Sequence, residues 1–396
     1  MNSLEIMELD GKYAANTYAR FPVALVEGMG SELYDADGKR YIDMGTGIGV
    51  SAFGACDPEW QIAVTEQATR LQHTSNLYYN EPSAKLAEII CTRTGMSRVF
   101  FCNSGAEANE CAIKAARKYG EVTHGADHYT IINLKNSFHG RTITTLSATG
   151  QDVFHKDFCP MTPGFVFADA NDLSSVEALI AEHKCCAIMI EVVQGEGGVI
   201  ALDADFVKGC EKLCRDHDLL FVIDEVQTGN GRTGELYAYM NFGVKPDVFS
   251  TAKGIAGGLP MGATVMNEKV AALFTPGSNG STFGANPVCA AGAVSILSRL
   301  DRAMLDGVKA RGNYIRERLA DVKGVKSISG LGLMIGIELE CDAGAVITKL
   351  IDKGVLALKA KTKVRLLPPL NIPMDILAEA MDKIVEAIGE EMDKAE

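Results

Sequence analysis

The sequence predicts an α/β protein: a large domain with a mostly parallel sheet flanked by helices, plus a smaller α+β lobe built from the two chain ends. Three observations carry this. From about residue 58 to about residue 300, helical stretches alternate with short apolar runs, the pattern of a doubly wound parallel sheet. One run, Leu219-Leu220-Phe221-Val222-Ile223, is apolar without a break, as a strand buried on both faces requires, and it ends in Asp224-Glu225. Another, Val248-Phe249-Ser250-Thr251-Ala252, delivers Lys253 into Gly254-Ile255-Ala256-Gly257-Gly258-Leu259-Pro260. Ligands of open α/β sheets bind beyond the carboxyl ends of the strands, so Asp224 and Lys253 can face one crevice.

In chain order, turn signals at Glu27-Gly28-Met29-Gly30 and Asp35-Ala36-Asp37-Gly38 separate strand-like pieces and predict a small β-meander within the first sixty residues. Gly45-Thr46-Gly47-Ile48-Gly49 lacks both G-x-G-x-x-G spacing and a strand-to-helix setting, so it reads as backbone in close approach to something, not as a dinucleotide loop. Residues 58–71 and 82–94 read as helices, and Arg98-Val99-Phe100-Phe101-Cys102 as a strand. A helical stretch over 287–319 leads to strand-like pieces at 325–328, 333–339 and 363–366. The expected division is 1–57 as the N-terminal segment of the small domain, 58–305 as the large ligand-binding domain, and 306–396 as the C-terminal part of the small domain.

Composition narrows the class. A chain of 396 residues, 47% apolar and 22% charged, can bury a full core, and no apolar run is long enough to cross a bilayer. The acidic start, Met1-Asn2-Ser3-Leu4-Glu5, does not resemble a signal peptide, and 11 scattered cysteines with no Cys-x-x-Cys suit reduced thiols, so a cytoplasmic address is expected. A net charge of −13 gives no footprint for nucleic acid or an anionic membrane. His124 and His128 have helical metal spacing, but Gly125 lies between them and no third ligand is evident, so no metal is expected. The sequon at Asn279-Gly280-Ser281 has no meaning without secretion.

Three stretches carry chemistry. Asn103-Ser104-Gly105-Ala106-Glu107 follows a strand and opens a helix; it is either a plain N-cap or an anion cup in which free amides and the helix dipole converge. Asp224 resembles a Walker B acid, yet no G-x-x-x-x-G-K-[ST] loop exists in the chain, which leaves a strand-end turn acid or a carboxylate paired with a buried cation. Lys253, if buried, has a depressed pKa and becomes a competent amine for a Schiff base with an aldehyde. Cup, aspartate and lysine together are the handles that pyridoxal phosphate requires, for its phosphate, ring nitrogen and aldehyde. Phe138-His139-Gly140-Arg141-Thr142 adds an aromatic that can cover a ring and an arginine that can hold a carboxylate, or else a surface loop. Glu196 and Arg365 are further charges whose pairing does not follow from spacing.

Taken in order, Asn103-Ser104-Gly105-Ala106-Glu107-Ala108-Asn109-Glu110, Phe138-His139-Gly140-Arg141-Thr142, Asp224-Glu225-Val226-Gln227-Thr228-Gly229, Gly231-Arg232-Thr233-Gly234, Lys253-Gly254 and Gly280-Ser281-Thr282-Phe283-Gly284 resemble the class III, fold type I pyridoxal-phosphate aminotransferases over nearly the whole chain, and within them the acetylornithine group. The resemblance implies pyridoxal 5′-phosphate as cofactor, held by Ser104, Gly105, Ala106, Phe138, Asp224, Glu225, Val226, Gln227 and Thr282, with Lys253 bonded to its aldehyde. It also implies a substrate site of Arg141, Ser281, Glu196 and Arg365, in which Glu196 neutralises Arg365 for the first substrate and releases it for the second. Thr282 reaches the other subunit's cofactor in that family, implying a homodimer with shared active sites. The implied reaction moves an ω-amino group to 2-oxoglutarate by ping-pong kinetics. Ornithine, succinylornithine, N-succinyl-diaminopimelate and 4-aminobutyrate remain open as donors beside N-acetylornithine, and a non-catalytic binding protein of the same fold is the alternative from another class. Val192, Asn230 and Gly54-Ala55-Cys56-Asp57-Pro58 depart from the usual pattern without removing a handle on the cofactor.

Overall fold

The structure, a computed structural model, describes residues 1–395. A helix, Ser3–Tyr13, opens the chain; the sequence reading passed over it, although Asn2 and Glu5 form a full capping box. The expected meander follows as β1 (Leu25–Met29), β2 (Glu32–Asp35) and β3 (Arg40–Asp43), paired antiparallel.

Helices Pro58–Arg70 and Glu81–Thr94 lead into the central sheet. Its strands are β4 (Arg98–Cys102), β5 (Thr130–Leu134), β6 (Phe165–Ala168), β7 (Cys185–Ile190), then, after a two-stranded hairpin of β8 (Val193–Gln194) and β9 (Ile200–Ala201), β10 (Leu220–Asp224), β11 (Val248–Thr251) and β12 (Gly262–Met266). The seven-stranded order is β4-β12-β11-β10-β7-β5-β6. β10 is parallel to β7 and β11, and β5 to β6 and β7, whereas β12 runs antiparallel to both β11 and β4. Every strand except β12 therefore points the same way. The apolar runs of β7 and β10 are buried along their whole length, as strands covered by helices on both faces must be. That burial is the main stabilising term, at roughly 25 cal/mol per Å² of apolar surface removed from water.

The expected continuous helix over 287–319 is two helices, Pro287–Arg299 and Arg302–Leu319. Leu300 ends the first and Asp301 caps the second, accepting from the Met304 amide at 2.8 Å. β13 (Val325–Leu331), β14 (Met334–Leu339), β15 (Val355–Leu356), β16 (Leu358–Ala360) and β17 (Lys363–Leu366) follow, with the order β13-β14-β17-β16 in one sheet. β15 instead pairs with β3, so the two chain ends share a sheet.

Two anchors hold the surroundings of the crevice. Trp60, the only tryptophan, donates its indole N–H to the Ala256 carbonyl at 2.9 Å, fixing the loop that follows Lys253. Buried Arg232 donates to the carbonyls of Leu333 and Pro368, joining the loop after β10 to the C-terminal segment. Burial lowers the pKa of Arg232 to about 10, against the pull of Asp43.

Candidate active site

In-register pairing sets the site. Asp224 lies opposite Ser250 and Ile223 opposite Ile190, so β7, β10 and β11 end level with one another. Glu191, Asp224 and Lys253 leave the sheet together at that edge. β4 ends there as well, and the helix Gly105–His124 starts immediately beyond it. These elements line a cavity of about 410 Å³ that gathers Ser104, Gly105, Ala106, Phe138, Arg141, Glu191, Glu196, Asp224, Val226, Gln227 and Lys253.

The loop at Ser104 is a cap and an anion cup at once. The Ser104 hydroxyl accepts from the Glu107 amide at 3.2 Å and its carbonyl from the Ala108 amide at 3.0 Å. The first-turn amides of Gly105 and Ala106 have no acceptor upstream, which leaves them for an anionic ligand. Gly262 allows β12 to pass close: a Cβ there would lie 2.3 Å from the Ser104 carbonyl oxygen. Gly262→Ala is therefore expected to displace Ser104 and weaken cofactor binding by roughly 1 to 3 kcal/mol, the usual cost of overpacking. Equilibrium dialysis checks this, and an unchanged dissociation constant would mean that strand and cup move independently.

Asp224 is held by four donors. Asn109 Nδ2 and His139 Nδ1 reach its Oδ2 at 2.7 and 2.8 Å, and the Val226 amide and Ser250 hydroxyl reach its Oδ1 at 2.9 and 3.4 Å. Burial works against a charged His139, but the hydrogen bond and charge of Asp224, with Glu191 adding to them, hold the imidazole above its ordinary range. The carboxylate is thus oriented from behind and presents itself to the cavity. His139 and Asn109 were given no role from sequence, although an asparagine on the alanine-rich buried face of a helix already asks for a polar partner.

Lys253 sits at φ +47°, a left-handed conformation rare for lysine and typical of functional sites. Burial lowers its pKa, while the charges of Glu196 and Asp224 pull the other way without cancelling the shift. Its amine is accordingly easier to deprotonate than a surface lysine's.

Glu196 and Arg365 do pair, at 2.5 Å. Gln227 joins them, accepting from Arg365 at 3.3 Å and donating to Glu196 at 3.4 Å. Desolvation raises the Glu196 pKa, but the adjacent guanidinium outweighs it and keeps the group below its ordinary value. Arg365 Nε remains buried without a hydrogen-bond partner among the described residues. Arg141 is exposed, forms no ion pair among the described residues, and lies 4.2 Å from the ring centre of Phe154, itself edge-on to Phe138.

Two expectations change. The Glu225 side chain does not reach the cavity: it is turned into the core, where it accepts from Thr228 Oγ1 at 2.6 Å and from the Ala238 and Tyr239 amides at 2.9 and 2.8 Å. Ser281 and Thr282 line a separate cavity of about 370 Å³ with Glu107, Lys114 and Asn279, which shares Asn103 with the first. Ser281 Oγ accepts there from Asn103 Nδ2 at 3.2 Å. His124 and His128 do lie side by side, with ring centres 5.3 Å apart, but among the described residues no three His, Cys, Asp or Glu groups are placed to hold a metal ion. No described helix is long and apolar enough to cross a membrane.

An anion cup, a braced aspartate and an enclosed lysine at one sheet edge make a site whose groups fit pyridoxal phosphate on a doubly wound fold. The profile of the family Aminotransferase class-III matches residues 13–388. The chain is 50% identical to the acetylornithine aminotransferase of Haemophilus ducreyi over 98% of its own length and all of that protein's, and 42% identical to that of Methanocaldococcus jannaschii over 96% and 98%. Among solved structures, the ornithine aminotransferase of Toxoplasma gondii superposes with a TM-score of 0.95 at 31% identity, covering 99% of this chain and 95% of that one. The N-acetylornithine aminotransferase of Stenotrophomonas maltophilia gives 0.85 at 34%, covering 98% and 100%. The chain belongs to the class III aminotransferases. It is a transaminase whose cofactor is pyridoxal 5′-phosphate, and the spare amides of Gly105 and Ala106, the cavity-facing Asp224 and the enclosed Lys253 fit that cofactor.

Proposed function

We propose that this enzyme transfers the δ-amino group of N2-acetyl-L-ornithine to 2-oxoglutarate, giving N-acetylglutamate 5-semialdehyde and L-glutamate, the reaction of an acetylornithine aminotransferase in arginine biosynthesis. The observation that carries it is one cavity holding an unpaired arginine, Arg141, with a second arginine, Arg365, locked to Glu196 at its edge. Such a site offers one carboxylate partner to a blocked ω-amino donor and, once Glu196 moves aside, a second to a dicarboxylate. Full-length identity of 42 to 50% to acetylornithine aminotransferases points to that donor among the ω-amines.

Bound pyridoxal phosphate supplies an aldehyde that condenses with amines and a ring that takes up the electrons released when the substrate C–H proton leaves. In our reading Ser104, Gly105 and Ala106 would bind the phosphate, Phe138 would cover the ring, Asp224 would hold the proton on the ring nitrogen, and Val226 and Gln227 would border the ring. Lys253 would be the amine that holds the cofactor's aldehyde, and its Nζ, once free, would take up and return the substrate proton as general base and acid. Arg141 orients the carboxylate of the donor. Thr282 serves the cofactor of a second copy, so that the enzyme is a homodimer with shared sites; the second cavity, abutting the first at Asn103, supports this. The 11 cysteines, none disulfide-bonded, support a cytoplasmic location.

Adding N-acetylornithine, ornithine, succinylornithine and 4-aminobutyrate separately to the holoenzyme, without an oxo acid, tests the donor. N-acetylornithine should bleach the visible band of the lysine-bound cofactor most efficiently; a better response to another amine would move the substrate to that amine. Arg141→Ala should raise the KM for N-acetylornithine roughly tenfold to a hundredfold while sparing amines that lack a carboxylate. Equal loss for both in steady-state assays would make Arg141 structural.

A further inference from the structure

Glu191 is a buried carboxylate in the cavity wall that the reaction as derived leaves unused. It is the first residue beyond β7, so the sheet delivers its side chain to the same edge as Asp224 and Lys253. It forms no ion pair among the described residues and satisfies its charge with two backbone amides from different loops. Oε2 accepts from the Phe138 N–H at 2.9 Å, in the loop that covers the ring position. Oε1 accepts from the Gly195 N–H at 3.4 Å, in the β8–β9 hairpin one residue before Glu196. Keeping an unpaired carboxylate in the core costs stability that two amide bonds offset only in part, and its pKa is pushed up to about 7. An apolar residue, with the loops closed by other contacts, would avoid that desolvation cost.

Other links between these two loops lie farther out. Gln194 donates to the Lys135 carbonyl at 2.9 Å, and a Cβ on Gly197 would stand 2.8 Å from the Asn136 carbonyl oxygen. Those contacts register the hairpin against the chain two to three residues before Phe138. Only the Glu191 bridge joins the amide of the ring-covering residue to the amide beside the gate among the described hydrogen bonds. Gly195 also lies against Gln227: a Cβ on it would sit 2.4 Å from the Gln227 Oε1 atom. Glu196 directly follows Gly195, so a displacement of the hairpin backbone that carries Glu196 away from Arg365 acts on an amide bonded to Glu191.

We propose that Glu191 is a positioning residue that couples the gate formed by Glu196 and Arg365 to the ring-covering loop at Phe138, so that admission of a dicarboxylate changes how the cofactor ring is held. The coupling rests on the reading of Glu196 and Arg365 as a gate. It gives the second half-reaction a ring environment distinct from that of the first, although the catalytic lysine is the same in both.

The test uses holoenzyme and glutarate, a dicarboxylate with neither amine nor oxo group, so that nothing reacts. Glutarate affinity is measured by calorimetry, and the ring environment by the visible circular dichroism of the bound cofactor. In the unaltered enzyme glutarate should bind in a manner lost in Arg365→Ala and should shift the dichroism. Glu191→Gln places an amide NH2 against one of the two N–H donors, and Glu191→Asp keeps the charge but is too short to span both amides. Both variants should still bind glutarate and both should lose the dichroic response. Glutarate binding that is indifferent to Arg365→Ala would defeat the gate reading itself. With the gate intact, the coupling is overturned by an unaltered enzyme that shows no dichroic shift, by a full response in both variants, or by a response kept in the aspartate variant and lost in the glutamine one. The last result would assign the effect to the charge beside His139 and Asp224. Should Glu191→Gln fail to retain cofactor, Glu191→Asp decides between a bridge and a dispensable contact.

Discussion

Replacing Lys253 with alanine is expected to lower kcat by about four orders of magnitude or more, since on the proposed reading the general acid and base and the covalent attachment point for the cofactor are lost together. The fold should survive. The lysine sits where burial disfavours its charged form, so its removal relieves desolvation and leaves only a small void beside an already open cavity. Cofactor should still enter, held by the cup at Ser104 and by Asp224, but without the visible band of the lysine-bound form. Three measurements check this: single-turnover kinetics with N-acetylornithine, the absorption spectrum after reconstitution, and the melting temperature. Turnover within tenfold of the unaltered enzyme would sink the assignment of Lys253, and loss of the folded state would make it a structural residue.

The sheet was legible because strands covered on both faces leave an unmistakable trace: nothing but apolar residues for five or six positions, as in 185–190 and 219–223. Strand direction leaves no such trace. β12 reads Gly-Ala-Thr-Val-Met, and that composition is the same whether the strand runs with or against β11, so its reversal was not foreseen. The break at Leu300–Asp301 was missed for a different reason: its flanks favour helix on both sides, and a capping aspartate in mid-helix looks like an ordinary exposed acid until the turn is seen.

The site separates in the same way. Asp224, Lys253 and the cup at Ser104 were readable because each ends or follows a strand, where a side chain has only the crevice to enter. Glu225 shows the limit of that argument. It follows Asp224 directly, yet the chain turns it into the core, where three donors meet it. Which of two adjacent acids faces a ligand depends on turn geometry, not on composition. The supporting layer, Asn109, His139, Ser250 and Glu191, depends on contacts between residues 26 to 115 positions apart and could not be read at all from spacing.

Removing the Arg365 guanidinium should separate the two half-reactions. Arg365→Ala deletes one carboxylate partner of 2-oxoglutarate, and truncating one member of a desolvated charge pair typically costs about 2 to 4 kcal/mol, roughly 30-fold to 1000-fold in kcat/KM for that substrate. N-acetylornithine, whose single carboxylate is assigned to Arg141, should react at close to its normal rate. Glu196→Ala acts in the opposite sense. With its carboxylate gone, Arg365 keeps among the described residues only the contact with Gln227 at 3.3 Å and stands open to any second carboxylate, so KM for 2-oxoglutarate should fall and L-glutamate should compete as a donor. Stopped-flow measurement of each half-reaction tells these apart. Arg365 stands on β17 of the C-terminal sheet and Glu196 on the β8–β9 hairpin, so the pair could also serve as a clasp between those two elements. A clasp predicts that either substitution slows both half-reactions by the same factor and lowers the melting temperature. A gate predicts opposite effects of the two substitutions on 2-oxoglutarate, because one removes the carboxylate's partner and the other removes its competitor.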